Sequence, residues 1–291
     1  MTRISLALFS CFYLMVFSGN LWAQSWKKDP KIIMIQVGAS TTSSSEQFDH
    51  DGKSFEIQRG KGDVGKLATD FRLEYNPVKD LGLFIETEFK SITFAGEAFE
   101  ASVSGFGDIR FGAGYVLTKK KSPVGAVLGL AITSPTGYSP DLGDFVPVLG
   151  QGVNVYGVFF QLGKRFKAGI HLFLESGYRL SGSRAPRGGG PKVKYSDQIP
   201  VKAQLGYWVQ PNIRVSAALD ARFSLSDPEK IDNVEFVNRA QSYTSLGLES
   251  EYVLNKKFHF SGKGMLDLIG RNRLLQTTFM LSIGVALEVG N

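Results

Sequence analysis

The chain has 291 residues and a net charge of +6, with basic and acidic residues mixed along its length. The basic residues form no stripe, so the sequence does not indicate nucleic-acid binding. The one cysteine, Cys11, lies near the N-terminus, and the rest of the chain can form neither a disulfide nor a cysteine-ligated metal site. No segment reaches the roughly 18 consecutive apolar residues of a membrane-spanning helix, so no such helix is predicted.

The N-terminus has the features of a secretory signal peptide. Arg3 forms a short basic region, Ile4–Phe17 is an apolar segment, and Leu21–Ala23 precedes a plausible cleavage point before Gln24. An uncleaved membrane anchor is the alternative, but the apolar segment is short for a spanning helix. We therefore expect residues 1–23 to be a cleaved signal peptide and residues 24–291 to form the folded protein.

Apolar and polar residues alternate in many segments, as in strands with one apolar and one polar face. In the C-terminal segment every second residue from Leu275 to Val289 is apolar, apart from Thr277. Such segments exceed the usual globular strand of about five to six residues and suit a bilayer, which needs about 9–11 tilted residues per strand. About twelve strands, an even number, predict an all-β, single-domain antiparallel transmembrane β-barrel. The candidates are Ile32–Ser40, Leu67–Tyr75, Leu81–Phe89, Gly107–Leu117, Val124–Thr133, Gly152–Leu162, Ala168–Ser181, Ile199–Val209, Ile213–Ser224, Ser242–Leu254, Phe258–Leu266 and Leu274–Val289.

The connections between these segments alternate in length. Short periplasmic turns and long extracellular loops are typical of outer-membrane barrels. Because the short connections lie at the end that carries both termini, we expect periplasmic termini in a Gram-negative-type bacterium. The short connections are Asn76–Asp80, Thr118–Pro123, Gly163–Lys167, Gln210–Asn212 and Asn255–Lys257. The long ones are Thr41–Lys66, Ser91–Phe106, Ser134–Gln151, Gly182–Gln198, Leu225–Gln241 and Asp267–Arg273.

The C-terminal residues and the aromatic residues also indicate an outer-membrane protein. Ser282–Val289 resembles the C-terminal assembly signal of Gram-negative barrels, although Val289 stands where that signal usually has an aromatic residue. We therefore expect the barrel-assembly machinery as a partner. Aromatic residues near the strand ends on the apolar faces are expected to form girdles at the membrane surfaces. They are Tyr75, Phe89, Tyr115, Tyr178, Tyr207, Phe223, Tyr252 and Phe258.

The charged residues predict which face of each strand is inside. An arginine or lysine facing lipid at the membrane midplane costs about 2–4 kcal/mol, so the charged faces should line the lumen. There they form either a permeation path or a network that fills the barrel. Because the two signs nearly balance, we expect passive diffusion with weak ion selectivity and no cofactor. The expected lumen residues are Arg72, Glu86, Glu88, Asp108, Arg110, Glu175, Arg179, Lys202, Arg214, Asp220, Arg222, Glu249 and Glu251.

Three segments resemble an outer-membrane transporter family that is named for the meta-pathway of phenol degradation. Gly105–Leu117 resembles its "GLGD-x-x-x-G-x-x-Y-x-L" strand, Ser134–Gly137 its "PTG" loop, and Leu149–Gly152 its "TGQG" element, with Leu149 in place of the usual threonine. The resemblance implies a barrel that passes small solutes such as aromatic compounds. Glycines on the lumen face also have a structural role, since they let strands bend and leave room inside.

Other classes of function stay open at this point. A filled structural or adhesive barrel would act through its outer loops, where the basic residues of Gly182–Gln198 could attract anions or contact lipopolysaccharide. An outer-membrane lipid hydrolase would use His259 and Ser261, but the alternation puts both side chains in the lumen, away from lipid. The three histidines, His50, His171 and His259, are too scattered to predict a metal site. A channel for small solutes is the favoured interpretation, and no enzyme is expected.

Overall fold

Twelve long strands, β1 to β12, form one antiparallel sheet in the computed structural model. The structure describes residues 30–48, 51–57, 62–96, 100–118, 122, 124–136, 149–150, 152–166, 169–184, 193–225, 230–231, 234–235, 241–255, 257–271 and 273–289. The strands are β1 Ile32–Phe48, β2 Asp63–Val78, β3 Leu81–Ala95, β4 in two segments Glu100–Phe106 and Ile109–Val116, β5 Val124–Ser134, β6 Val155–Arg165, β7 Ile170–Ser181, β8 Gln198–Gln210, β9 Ile213–Ser224, β10 Ser242–Leu254, β11 Phe258–Arg271 and β12 Arg273–Glu288. Short strands at Ser54–Glu56, Ser183–Arg184, Val193–Lys194, Lys230–Ile231 and Val234–Glu235 lie in the connections.

Pairing between the first and last strands closes the sheet into a barrel. β12 pairs with β1 in a register that aligns Ile32 with Glu288 and Ser40 with Met280, and every other barrel strand pairs with its neighbours in sequence. Closure satisfies the backbone hydrogen bonds of both terminal strands, which is what a strand in lipid requires. The predicted closed antiparallel barrel is confirmed, and each of the twelve candidate segments overlaps one barrel strand.

Several strands are longer than the sequence predicts at the end away from the termini. The expected connection Ser91–Phe106 is wrong, because β3 continues to Ala95 and β4 begins at Glu100. Asp267–Arg273 is also wrong as a connection, since β11 continues to Arg271 and β12 begins at Arg273. The extensions also carry apolar pairs, such as Ile92 with Val103 and Phe94 with Ala101, so both the pairing and the alternation continue past the predicted strand ends.

The outer face of the barrel is apolar and exposed. Leu130 and Ile269 are each 65% exposed and Leu67 is 64% exposed, which would be unusual for a water-soluble surface but suits lipid contact. Six of the eight predicted girdle residues are among the exposed apolar side chains: Phe89, Tyr115, Tyr178, Tyr207, Phe223 and Phe258. Phe89 lies in the middle of β3 rather than at its end, since β3 is longer than predicted.

The short turns lie at the end of the barrel that carries both termini, which we call the terminal end; the opposite end is the loop end. Asn255, in the turn between β10 and β11, has a left-handed φ of 52°, a conformation that asparagine tolerates better than most residues. The predicted signal peptide lies outside the described residues. Among the described residues, no helix is long and apolar enough to cross a membrane.

Candidate functional site

The barrel lumen is the candidate site, because strand alternation places the predicted charged residues on its wall. Arg72 and Glu74 lie on the buried side of β2, while the alternating residues Phe71 and Leu73 are exposed on the outer face. The same alternation turns Glu86 on β3 and Glu175 on β7 inward. The interior position of the predicted residues is therefore a consequence of the twofold period. Their role in permeation stays a prediction.

A network of acidic and basic groups crosses the wall of the lumen from β2 to β4. Glu86 accepts hydrogen bonds from Arg72 Nη1 at 2.8 Å and from Arg110 Nη1 at 2.6 Å, and Arg72 Nε also donates to Glu74 at 2.6 Å. Two of these side chains stay partly accessible, Glu86 at 28% and Arg110 at 26%, whereas Arg72 and Glu74 are 14% and 7% exposed. We call these four residues the middle network.

Further ion pairs surround the middle network. On β3, Glu88 bonds to Lys66 Nζ at 2.7 Å and to Lys90. Across the lumen, Glu175 accepts a 2.6 Å hydrogen bond from Gln161 and lies 3.5 Å from Lys202 Nζ. Lys202 is 31% accessible and lies within electrostatic range of the middle network. Charged groups on different walls of the lumen are therefore partly exposed at this level.

The network at the terminal end is much more deeply buried. Arg214 Nη2 lies 3.2 Å from Glu249 and 3.0 Å from Glu251, and Glu251 also bonds to His259 Nδ1 at 3.1 Å. Gln204 donates to Glu249 at 2.7 Å. The Arg214 side chain is 2% exposed and those of both glutamates are 1% exposed. We call Arg214, Glu249, Glu251, His259 and Gln204 the terminal network.

A third part of the lumen wall is apolar and was not predicted from the sequence. Phe84, Val127, Ala131, Phe159 and Phe173 form a buried cluster inside the barrel, with the rings of Phe84 and Phe159 6.3 Å apart. The guanidinium groups of Arg72 and Arg110 lie 5.4 and 5.2 Å from the Phe84 ring. Alternation could have revealed this cluster, because Phe84 is two residues before Glu86 and must share its face.

Glycines provide the space for these rings. A Cβ atom at Gly129 would lie 2.1 Å from Phe159 Cζ, and one at Gly112 would lie 2.7 Å from Phe84 Cζ. Both distances are shorter than any allowed contact, so the rings occupy the volume that a larger residue would need. The expectation that lumen glycines leave room inside the barrel agrees with this packing, and the room is taken by phenylalanine.

A cavity of about 50 Å³ lies where the apolar cluster meets charged residues. Its walls include Arg72 and Glu74 on one side and Phe84, Phe159 and Gln161 on the other. Polar residues of β2 and aromatic residues of β3 and β6 therefore line the same small space.

The three motif segments that carry the family resemblance meet in space. Thr136 Oγ1 donates to the Gly107 carbonyl at 2.8 Å and to the Phe106 carbonyl at 3.2 Å. A Cβ at Gly105 would be 2.8 Å from Leu149 Cδ1, and one at Gly107 would be 3.1 Å from the Leu149 carbonyl. The motifs therefore form one contact at the break between the two segments of β4. Their residue types are explained by close backbone packing.

The arrangement of His259 and Ser261 does not suit a hydrolase. Both side chains are buried on the lumen face of β11, and Ser261 bonds to Ser282 at 2.7 Å while His259 bonds to Glu251. A serine nucleophile needs a base within hydrogen-bond reach, and these two side chains have other partners.

Comparisons with known proteins agree on the fold. The COG4313 outer membrane channel from Pseudomonas putida F1 superposes with a TM-score of 0.76 at 13% identity, covering 89% of this chain and 97% of that chain. The NanC porin gives 0.54 at 9% identity over 87% of this chain and 100% of that chain. The KdgM porin gives 0.50 at 11% identity, covering 87% and 98%. No model of a protein family matches the sequence, and no curated protein matches it. At such identities the likeness is one of fold, the closed barrel of outer-membrane channels.

Proposed function

We propose that the protein is an outer-membrane channel through which small solutes diffuse passively. The observation that carries this proposal is the combination of an apolar outer face with accessible charged groups on facing walls of the lumen. Glu86, Arg110 and Lys202 are 28%, 26% and 31% accessible although they lie inside the barrel. In a filled barrel we would expect the charged side chains to pair with one another away from water.

Location and family follow as parts of the same proposal. Residues 1–23 would be removed on export, and the barrel-assembly machinery would insert the barrel with both termini in the periplasm. Outer-membrane lipid and lipopolysaccharide would then surround the apolar face. The motif segments support membership of the family that is named for the meta-pathway of phenol degradation, with small aromatic or hydrophobic compounds as solutes. The apolar cluster inside the lumen supports this solute class.

Selectivity would come from the width of the lumen and from the charges that solutes can reach. The middle network, with Lys202 facing it, is proposed to line the path. The terminal network is proposed to hold the terminal end of the barrel in shape, because its members are buried and pair with one another. Diffusion through such a path uses only the chain's own side chains, so no cofactor is part of the proposal.

A filled structural barrel is the second candidate, and the terminal network favours it. Three fully buried charged side chains at one end of the lumen, Arg214, Glu249 and Glu251, are what a closed barrel would also contain. Lipid hydrolysis is not proposed, since His259 and Ser261 face inward and bond to other residues.

Single-channel recording in planar bilayers distinguishes the two candidates. The purified protein should first show slower SDS migration after heating than before, as expected for a stable closed barrel. We then expect small, discrete conductance steps in KCl. Absence of any conductance from protein that shows this heat shift would contradict the channel proposal and favour the filled barrel. Identical migration before and after heating would contradict the membrane barrel itself.

A further inference from the structure

One cross-strand row on the lumen face has an aromatic residue at one end and an arginine at the other. Only glycine and alanine lie between them. The register aligns Phe84 with Gly112, Gly112 with Ala131, Ala131 with Gly157, and Gly157 with Arg179. Strands lie about 4.8 Å apart, so Phe84 and Arg179 are separated by about 19 Å along the wall. The middle of this row is a shallow recess in the lumen surface.

The open part of the recess lies at Gly157. A Cβ atom there would meet nothing closer than 3.6 Å, the Tyr178 carbonyl, and would lie 3.8 Å from Arg179 Cγ. At Gly112, by contrast, the Phe84 ring already fills the space. Phe159 is two residues from Gly157 on the same face of β6, so an aromatic ring borders the recess on its terminal side.

Arg179 lies on the strand next to Gly157, where it pairs with Gln198 on β8. Arg222 lies on β9, where it pairs with Pro200, and its guanidinium is 5.4 Å from the Tyr243 ring. Arg110 lies on β4 and bonds to Glu86. Arg179 is near enough to both Arg222 and Arg110 to interact with them electrostatically. Like charges repel one another most strongly where water is partly excluded.

The nearby carboxylates already have other partners. Glu86 bonds to Arg72 and Arg110. Glu175 bonds to Gln161 and lies beside Lys202. Asp220 accepts a 3.2 Å hydrogen bond from Tyr243. Within the described part of the chain, Arg179 and Arg222 form no ion pair with a carboxylate, and the buried Arg222 Nε has no hydrogen-bond partner. As far as the described residues show, both guanidinium groups thus have donors available for an anion.

We propose that this recess binds the carboxylate of a small solute that also has an apolar body. Arg179 and Arg222 would donate to the carboxylate, and Arg110 would add a third positive charge. The apolar body would lie over Gly157, at the edge of the buried cluster that contains Ala131 and Phe159. The inference rests on the proposed channel only for the route by which the solute arrives.

Isothermal titration calorimetry of the purified barrel in detergent tests the site directly. Sodium benzoate is the probe, with sodium acetate lacking the ring and benzyl alcohol lacking the charge. Benzoate should bind more tightly than either, because only benzoate can use both halves of the site. Arg179→Gln and Arg222→Gln should each weaken benzoate binding about tenfold, the usual effect of losing a charged hydrogen bond. Lys164→Gln removes the same charge beside Phe166 at the terminal end and should leave binding unchanged.

A second variant tests the recess without changing charge. Gly157→Val fits the strand backbone and meets only ordinary contacts at Cβ, but its methyl groups would fill the recess. We expect the heat shift on SDS gels to persist and benzoate binding to be lost. Retained benzoate binding in well-folded Gly157→Val would overturn the placement of the apolar body.

The results of these experiments show whether the binding site or the channel proposal is wrong. Equal benzoate affinity in wild type, Arg179→Gln and Arg222→Gln would overturn the site even if the protein conducts ions. Equal affinity for benzoate and benzyl alcohol would likewise overturn it, because charge would then contribute nothing. Benzoate binding with the expected losses in a protein without conductance would support the site and contradict the channel.

Discussion

The middle and terminal networks use the same chemistry in two different settings. In the middle network Arg110 and Glu86 are 26% and 28% accessible, whereas in the terminal network Arg214 and Glu249 are 2% and 1% exposed. Both are arginine–glutamate pairs whose side chains face the lumen from neighbouring strands. Position in the barrel, rather than residue type, therefore decides how deeply such a pair is buried.

The difference in burial implies a difference in energetic role. Removing one member of a buried ion pair leaves its partner charged and desolvated, which costs about 3–5 kcal/mol. A partly accessible pair contributes about 0–1 kcal/mol, since water can replace the lost partner. The terminal network should thus control stability and the middle network should control conduction.

The largest effect is expected from Arg214→Ala. Both Glu249 and Glu251 would lose their arginine, and the free energy of unfolding should fall by about 3–5 kcal/mol. Urea unfolding in detergent micelles, followed by tryptophan fluorescence, measures this change. The triple variant R214M/E249Q/E251Q should recover much of the loss, because no unpaired charge remains. A loss below about 1 kcal/mol for Arg214→Ala would contradict the bracing role.

A smaller effect is expected from Gly129→Ala in the apolar cluster. The new Cβ would overlap the Phe159 ring, and such overpacking costs about 1–3 kcal/mol. The matched control is Gly65→Ala on β2, where a Cβ meets nothing within 4 Å, so stability should be nearly unchanged. In a Phe159→Ala background the cost of Gly129→Ala should largely disappear. The same cost in both backgrounds would mean that Phe159 is not the source of the strain.

The smallest effect on stability is expected from Arg110→Gln, together with a clear effect on conduction. Unfolding free energy should change by no more than about 1 kcal/mol, while the reversal potential in a KCl gradient should shift toward cations. Lys164→Gln, which removes a charge outside the middle network, should shift neither quantity. If Arg110→Gln destabilised the barrel as much as Arg214→Ala, the two networks would not differ in the way proposed here.

The sequence alone predicted the number of barrel strands, the central part of each strand, the two faces and the closed barrel. Ile213–Ser224 and Ser242–Leu254 were predicted to the residue, since apolar and polar side chains alternate to the ends of both strands. The interior position of Arg72, Glu175 and Arg214 followed from the same period of two. These features depend on the order of apolar and polar residues within one strand, which can be read directly from the sequence.

The tertiary structure decided which side chains meet. Glu86 pairs with arginines on β2 and β4 because the register aligns it with both Arg72 and Arg110. The contact between Phe159 and Gly129, and the row from Phe84 to Arg179, likewise depend on strand register. A register shift of one residue would turn the other face of a strand inward, yet the sequence of a single strand does not state its register. Burial along the axis also depends on the closed barrel as a whole, so only the structure could separate the middle network from the terminal network.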